Sequence, residues 1–160
     1  MKNFQNKAKI IKVSKIIRNL LFAGLVLEII LVPCFLLAGL LPMIVLSKEK
    51  WDASMIFTTF GMCLWGLLAI AVTINLFRFF DRLKNNFLFD AQTVGYLGTA
   101  GKWWIALRFY EGIFYGFGQE FFQLKMVWNS GGLFAGLILI FISWLLREAQ
   151  GLQEEQELTV

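Results

Sequence analysis

The sequence predicts an all-α integral membrane protein: a four-helix bundle with a basic amphipathic N-terminal segment and a short acidic tail. Three observations carry that expectation. Apolar residues make up 58% of the 160 and charged residues only 16%, too little charge to solvate the surface of a soluble domain of this size. The apolar residues gather in four runs, about 20–41, 53–77, 103–124 and 127–146. Each is close to the roughly 20 residues a helix needs to cross about 30 Å of hydrocarbon, and a helix satisfies its backbone groups within its own segment, as lipid demands. Finally, six of the fifteen basic residues, Lys2, Lys7, Lys9, Lys12, Lys15 and Arg18, stand in the first nineteen positions with no acidic residue among them. The chain reads as one transmembrane domain.

The segment 1–19 is amphipathic as well as basic. Ile10, Val13, Ile17 and Leu20 share one helical face, and Lys9, Lys12, Lys15 and Asn19 lie away from it. Such a segment leans on anionic lipid headgroups from the cytoplasmic side. An orientation anchor accounts for it, with a lipid-sensing helix as the functional alternative. The net charge of +4 is therefore a topology signal, and no direct nucleic-acid binding is expected.

The first span is followed by no small-residue cleavage site; Pro42 and the residues from Ser47 to Asp52 read as a polar turn, so the span is expected to stay as an uncleaved anchor. Pro33 in mid-run predicts a kink. After the second span come Arg78, Arg82, Lys84 and Lys102, and after the fourth Arg147. With the N-terminal six, that places eleven basic residues on one side, against Lys48, Lys50 and Lys125 on the other. Basic residues stay cytoplasmic, so both termini are expected in the cytoplasm, in a bacterial inner membrane.

The third span has a start signal well before its apolar run. Asp90 can cap the orphan N–H groups of a first turn, and Phe89 and Val94 hold the two positions of a hydrophobic staple across that cap. A helix from Asp90 would run past Gly95, Gly98 and Gly101 into the span. Gly112 and Gly116 on the third helix, and Gly132 and Gly136 on the fourth, form small-residue faces that suit either packing of these two helices or a homo-oligomer. The tail, 147–160, carries Glu148, Glu154, Glu155 and Glu157. It reads as a solvated helix end or, through Glu154, Glu155 and Glu157, as a dock for a basic partner surface.

Ionisable groups inside spans are the default functional candidates, because a central charge costs about 2.5–3.5 kcal/mol on insertion scales. Four qualify: Glu28, Arg108, Glu111 and Glu120. Counted from the cytoplasmic ends of their apolar runs, Glu28 and Glu111 lie at similar depth with Arg108 one turn shallower, so the three are expected to meet. One reading is an internal ion pair, Arg108 with Glu111 at i, i+3. The other is an inner-leaflet polar pocket in which Arg108 binds an anionic ligand or lipid headgroup and Glu28 and Glu111 trade protons. Glu120, near the outer end, is expected to snorkel. Cys34 and Cys63 lie in apolar runs without a C-x-x-C spacing, and there is no His, so neither redox exchange nor a metal site is expected. No cofactor motif or nucleophile–base set is legible, which argues against catalysis.

The Phe and its following cap, the Val four residues after that cap, then Leu97, Gly101 and Trp103, together with the closing stretch from Arg147 to Val160, resemble the domain of unknown function 2975 family of small bacterial membrane proteins. The resemblance runs from the first span onward. Where members carry an Asn before that Val and basic residues after it, this chain has Thr93, Gly95 and Tyr96. The resemblance implies four spans without assigned chemistry, and genes found beside a small helix-turn-helix regulator. It implies a regulatory or interaction protein with a cytoplasmic transcription regulator as partner. The alternative is a small-molecule or lipid binder or transporter built on the inner-leaflet pocket.

Overall fold

The computed structural model describes the backbone of residues 2–45, 53–85, 90–122 and 132–158, and the side chains of 9–41, 53–85, 90–122, 132–152 and 155–156. Four helices account for nearly all of it: α1 (Lys2–Val45), α2 (Ala53–Lys84), α3 (Ala91–Phe122) and α4 (Gly132–Leu158).

No Gly or Pro interrupts the chain before Gly24, and the basic segment and the first span accordingly form one helix of 44 residues, about 66 Å long at 1.5 Å per residue. The helix continues through Pro33, which is exposed, and through Pro42. Pro42 therefore belongs to the last turns of α1 and not to a polar turn; residues Ser47 to Asp52 lie outside the described residues.

The face of α1 that packs is largely distinct from the apolar stripe of its first segment. Ile11, Ser14, Arg18, Leu21, Leu25, Glu28, Val32, Leu36 and Gly39 are covered, with Ile17 and Leu40 beside them, and they follow one another at spacings of three and four residues, those of a left-handed helix pair. Ser14 is only 2% exposed, whereas Val13 and Leu20 of the apolar stripe are 53% and 67% exposed. Lipid explains the difference. Apolar side chains lose nothing by facing lipid, so small and polar residues mark the contact instead.

Each helix runs antiparallel to the one before it. Along α1 and α2, Arg18 meets Asp81, Phe22 meets Phe77, Glu28 meets Thr73, and Gly39 faces Thr59. Along α2 and α3, Arg82 meets Asp90, Arg78 lies over Tyr96, Tyr110 donates to the Gly61 carbonyl at 2.8 Å, and Phe57 meets Phe122. Helix α3 thus lies beside α2 along its length. Both are covered on two sides, which accounts for Thr59, Gly61, Cys63, Gly66 and Ala69 as buried positions of α2.

The closest backbone approach lies between α3 and α4. A Cβ on Gly101 would stand 2.9 Å from the Gly136 carbonyl oxygen, and one on Gly136 would stand 3.1 Å from that of Gly101. Two turns toward the charged end, the Ser143 hydroxyl donates to the Val94 carbonyl at 3.0 Å. The row ends there: α1 packs on α2, α2 on α3 and α3 on α4, and among the described residues no other helix pair is in contact. The bundle is a serial one, floored where a middle helix lies between two others.

Three helical stretches, Lys9–Leu41, Ala53–Lys84 and Gly132–Leu152, are long and apolar enough to cross a membrane, which marks a membrane protein. Apart from the Arg108–Glu111 pair, the ion pairs gather at one end of the row. Arg18, Asp81, Lys84, Arg82 and Asp90 are joined there by ion pairs, and α1 and α4 both run on beyond them.

Candidate intramembrane polar site

Away from the charged end, two polar clusters lie on opposite flanks of α2. The larger is centred on Glu111, which is 6% exposed. Its carboxylate accepts from Arg108 Nη1 at 2.7 Å through one oxygen and from the Trp65 indole N–H at 2.7 Å through the other. The Arg108 guanidinium carbon sits 5.1 Å from the centre of the Trp104 ring, a cation–π distance, and its side chain fills the space beside Gly132 at the head of α4. Trp104 in turn donates to the Gly132 carbonyl at 2.7 Å. The cluster ties α2, α3 and α4 at one level.

The smaller cluster is Glu28 on α1. One carboxylate oxygen takes the Thr73 hydroxyl at 3.0 Å; the other is buried without a hydrogen-bond partner. Thr73 and Trp65 are two turns apart on α2, about 12 Å, so Glu28 stands nearer the charged end than Glu111 does. The structure joins Arg108 to Glu111 and leaves Glu28 apart from both. The equal depth expected from the apolar runs fails because α3 starts at Ala91, three turns before Trp103, and those turns lie beside the last turns of α2.

Between the clusters lies a cavity of about 340 Å³, walled by Glu28, Val32 and Phe35 of α1, floored by Trp65 and Gly66 of α2, and closed on the far side by Phe114 and Tyr115 of α3. It exists because α1 and α3 meet only across α2, and because Gly66 keeps the floor low where Val32 crosses. Thr73 and Trp65 are the members that the sequence reading missed. Trp65 had a signal: a Trp in the middle of an apolar run lacks the interfacial partner a belt Trp has, and a buried indole N–H needs an acceptor.

The remaining candidates fall elsewhere. The Asp90 carbonyl accepts the Val94 N–H at 3.1 Å, the first bond of α3, while its carboxylate pairs with Arg82, which also holds Gln92. Val94 is fully buried; Phe89 lies outside the described residues. Gly132 and Gly136 face α3 within the chain, where they meet Arg108 and Gly101, whereas Gly116 faces open space. Glu155 is exposed, and the side chains of Glu154 and Glu157 lie outside the described ones. Glu120 is exposed. Cys34 is exposed, Cys63 buried, and both are free thiols. Among the described residues no three His, Cys, Asp or Glu side chains gather as a metal site would require.

A family model described as "Protein of unknown function (DUF2975)" matches residues 47–160. The match begins beyond α1, so it covers α2 to α4 and leaves out the first helix that the sequence resemblance had included. No curated protein and no solved structure matches the chain.

Proposed function

We propose that this chain, which belongs to the DUF2975 family, is a multi-pass protein of the bacterial cytoplasmic membrane that regulates by interaction, with both termini in the cytoplasm and a cytoplasmic helix-turn-helix regulator as its partner. The observation that carries this reading is the overhang of α1 and α4 at the charged end. Helix α1 reaches back to Lys2, some four turns past Arg18, and α4 runs to Leu158, about three turns past Arg147. The first overhang carries Lys9, Lys12 and Lys15 and the second Glu148 and Glu155, all exposed. Two helical arms of opposite charge thus rise from opposite edges of the row, each suited to a charged protein surface. Because α3 lies beside α2 along its length, it takes the same depth, and four crossings follow if α2 crosses.

The arm on α4 is the testable one. Deleting 153–160, or replacing Glu154, Glu155 and Glu157 by Gln, is expected to leave the bundle folded and to reduce recovery of the regulator on gentle copurification from native membranes. Raised salt is expected to weaken the intact complex, since exposed charges are screened over about 8 Å at physiological ionic strength. Equal recovery of the regulator with all three proteins would overturn the reading.

A second reading, binding of a small lipophilic molecule, is favoured by the cavity at Glu28. At about 340 Å³ it lies within the roughly 300–1,000 Å³ of small-molecule sites, with one carboxylate among apolar and aromatic walls. Of the three residues expected to line an inner-leaflet pocket, Glu28 is in its lining and Arg108 and Glu111 are not.

A further inference from the structure

We propose that the cavity between α1, α2 and α3 binds a membrane-dissolved lipophilic ammonium compound, whose cation pairs with Glu28 and whose hydrocarbon fills the space toward Trp65. The inference rests on the small-molecule reading above and adds the charge, the chemistry and the source of the ligand.

Glu28 is the starting point. Among the described residues its carboxylate has one polar partner, the Thr73 hydroxyl, and no cation is paired with it. The other ionisable groups of the neighbourhood are already matched: Arg18 holds Asp81, and Arg108 holds Glu111. A carboxylate left with one oxygen unbonded in an apolar setting is costly, and a positive charge is what lowers that cost most. A neutral donor would satisfy the oxygen but leave the charge. An anionic ligand, which Arg108 suggested from sequence, is excluded from this cavity because Glu28 is the charged group in its lining.

The walls fit the same chemistry. Phe35, Trp65, Phe114 and Tyr115 stand among apolar neighbours, and aromatic faces attract ammonium groups, substituted ones included, within about 6 Å of a ring centre. Leu31, Val32, Met62 and Ala69 complete the lining and suit an alkyl or aryl body. Met adapts its shape to different occupants.

Depth decides the source. Glu28 lies ten residues along α1 from Arg18, about 15 Å at 1.5 Å per residue, and Arg18 belongs to the ring of ion pairs that marks the polar end. A bilayer lipid with its headgroup at that ring cannot bring an ethanolamine or choline nitrogen to Glu28. A free amphiphilic amine dissolved in the bilayer can.

The test uses the full chain in nanodiscs of phosphatidylcholine, titrated calorimetrically with dodecylammonium and with 1-dodecanol, which has the same tail without the charge. The intact protein is expected to bind the ammonium saturably and at least tenfold more tightly than the alcohol. Glu28→Gln is expected to bring the two affinities together by weakening the ammonium alone. Met62→Trp, at an exposed position of the lining, is expected to reduce both. Substituting phosphatidylethanolamine for part of the lipid is expected to change neither; loss of ammonium binding there would assign the site to the headgroup and overturn the source. Should Glu28→Gln prove unstable, Glu28→Asp, which keeps the charge, is expected to retain the preference. Equal binding of both compounds by the intact protein would overturn the ammonium inference and leave a neutral-ligand cavity standing. Absence of saturable binding, or indifference to Met62→Trp, would remove the small-molecule reading itself.

Discussion

Glu111 shows how one residue can be half legible. Its spacing of three from Arg108 suggests an ion pair from the sequence alone, because both partners sit on one helix and helical geometry is known in advance. Its second bond, to Trp65, comes from another helix and depends on how α2 and α3 are aligned, which no local pattern encodes. The consequence is measurable. Glu111→Gln leaves the Arg108 guanidinium, 25% exposed, without its counter-charge, and breaking a buried pair costs about 3–5 kcal/mol; the partial exposure puts the expected loss at the lower end. Trp65→Phe removes a single hydrogen bond to a charged group, about 1.5–3 kcal/mol. Both should lower thermal stability in detergent, and Arg108→Leu with Glu111→Leu together should recover most of the loss. Glu28→Arg should fail to rescue Arg108→Glu, since Glu28 sits on the other flank of α2; rescue measured by the same melts would contradict the geometry.

At the scale of the helix, local signals and lipid-facing signals behave differently. The start of α3 just after Asp90 is legible in the residues around it, while the carboxylate expected to cap it pairs with Arg82. The covered face of α1 is not legible from hydrophobicity, because every side of its membrane-spanning part is apolar; the small and polar residues Ser14, Arg18, Glu28 and Gly39, which fall on one face, are the signal. Glycines follow the same logic. Gly132 and Gly136 face α3, where Gly132 meets Arg108 and Gly136 meets Gly101, Trp104 and Ile105, whereas Gly116 meets nothing. Gly136→Leu must push α3 and α4 apart, and overpacking of this kind costs about 1–3 kcal/mol or more. Gly116→Leu and Gly24→Ala, which meet nothing within 4 Å, are expected to be near neutral in thermal melts. A change of oligomeric state on Gly116→Leu, read by light scattering, would instead assign that open face to a second copy.

For the whole molecule, the membrane character was legible in composition, whereas the order of helices in the row was not, since apolar runs carry no address. Arg18, Arg82 and Lys84, three of the eleven basic residues counted on the expected cytoplasmic side, lie together at one end of the row. Topology can be tested directly: protease added outside intact cells stripped of any outer membrane is expected to cut a tag placed between Lys48 and Trp51 and to spare tags at both termini. Cleavage at either terminus would overturn the cytoplasmic assignment, and the regulator reading with it.

The serial packing has a further consequence, for assembly during synthesis. Among the described residues every helix contact in the row joins neighbours in the chain, so contact order is low, and chains with low contact order find their pairings fast. Helix α1 waits only for α2, and α3 meets α2 already in place; no helix has to leave a finished contact to admit a later one. Stability is then close to a sum of three neighbour interfaces, as in a stack of repeats. The family match, which begins at residue 47, divides this stack at the α1–α2 junction, where the first helix is held by α2 alone among the helices. Of the three interfaces, that is also the one in which Glu28 is set, so a molecule bound there would act on the joint between the basic arm and the rest of the row.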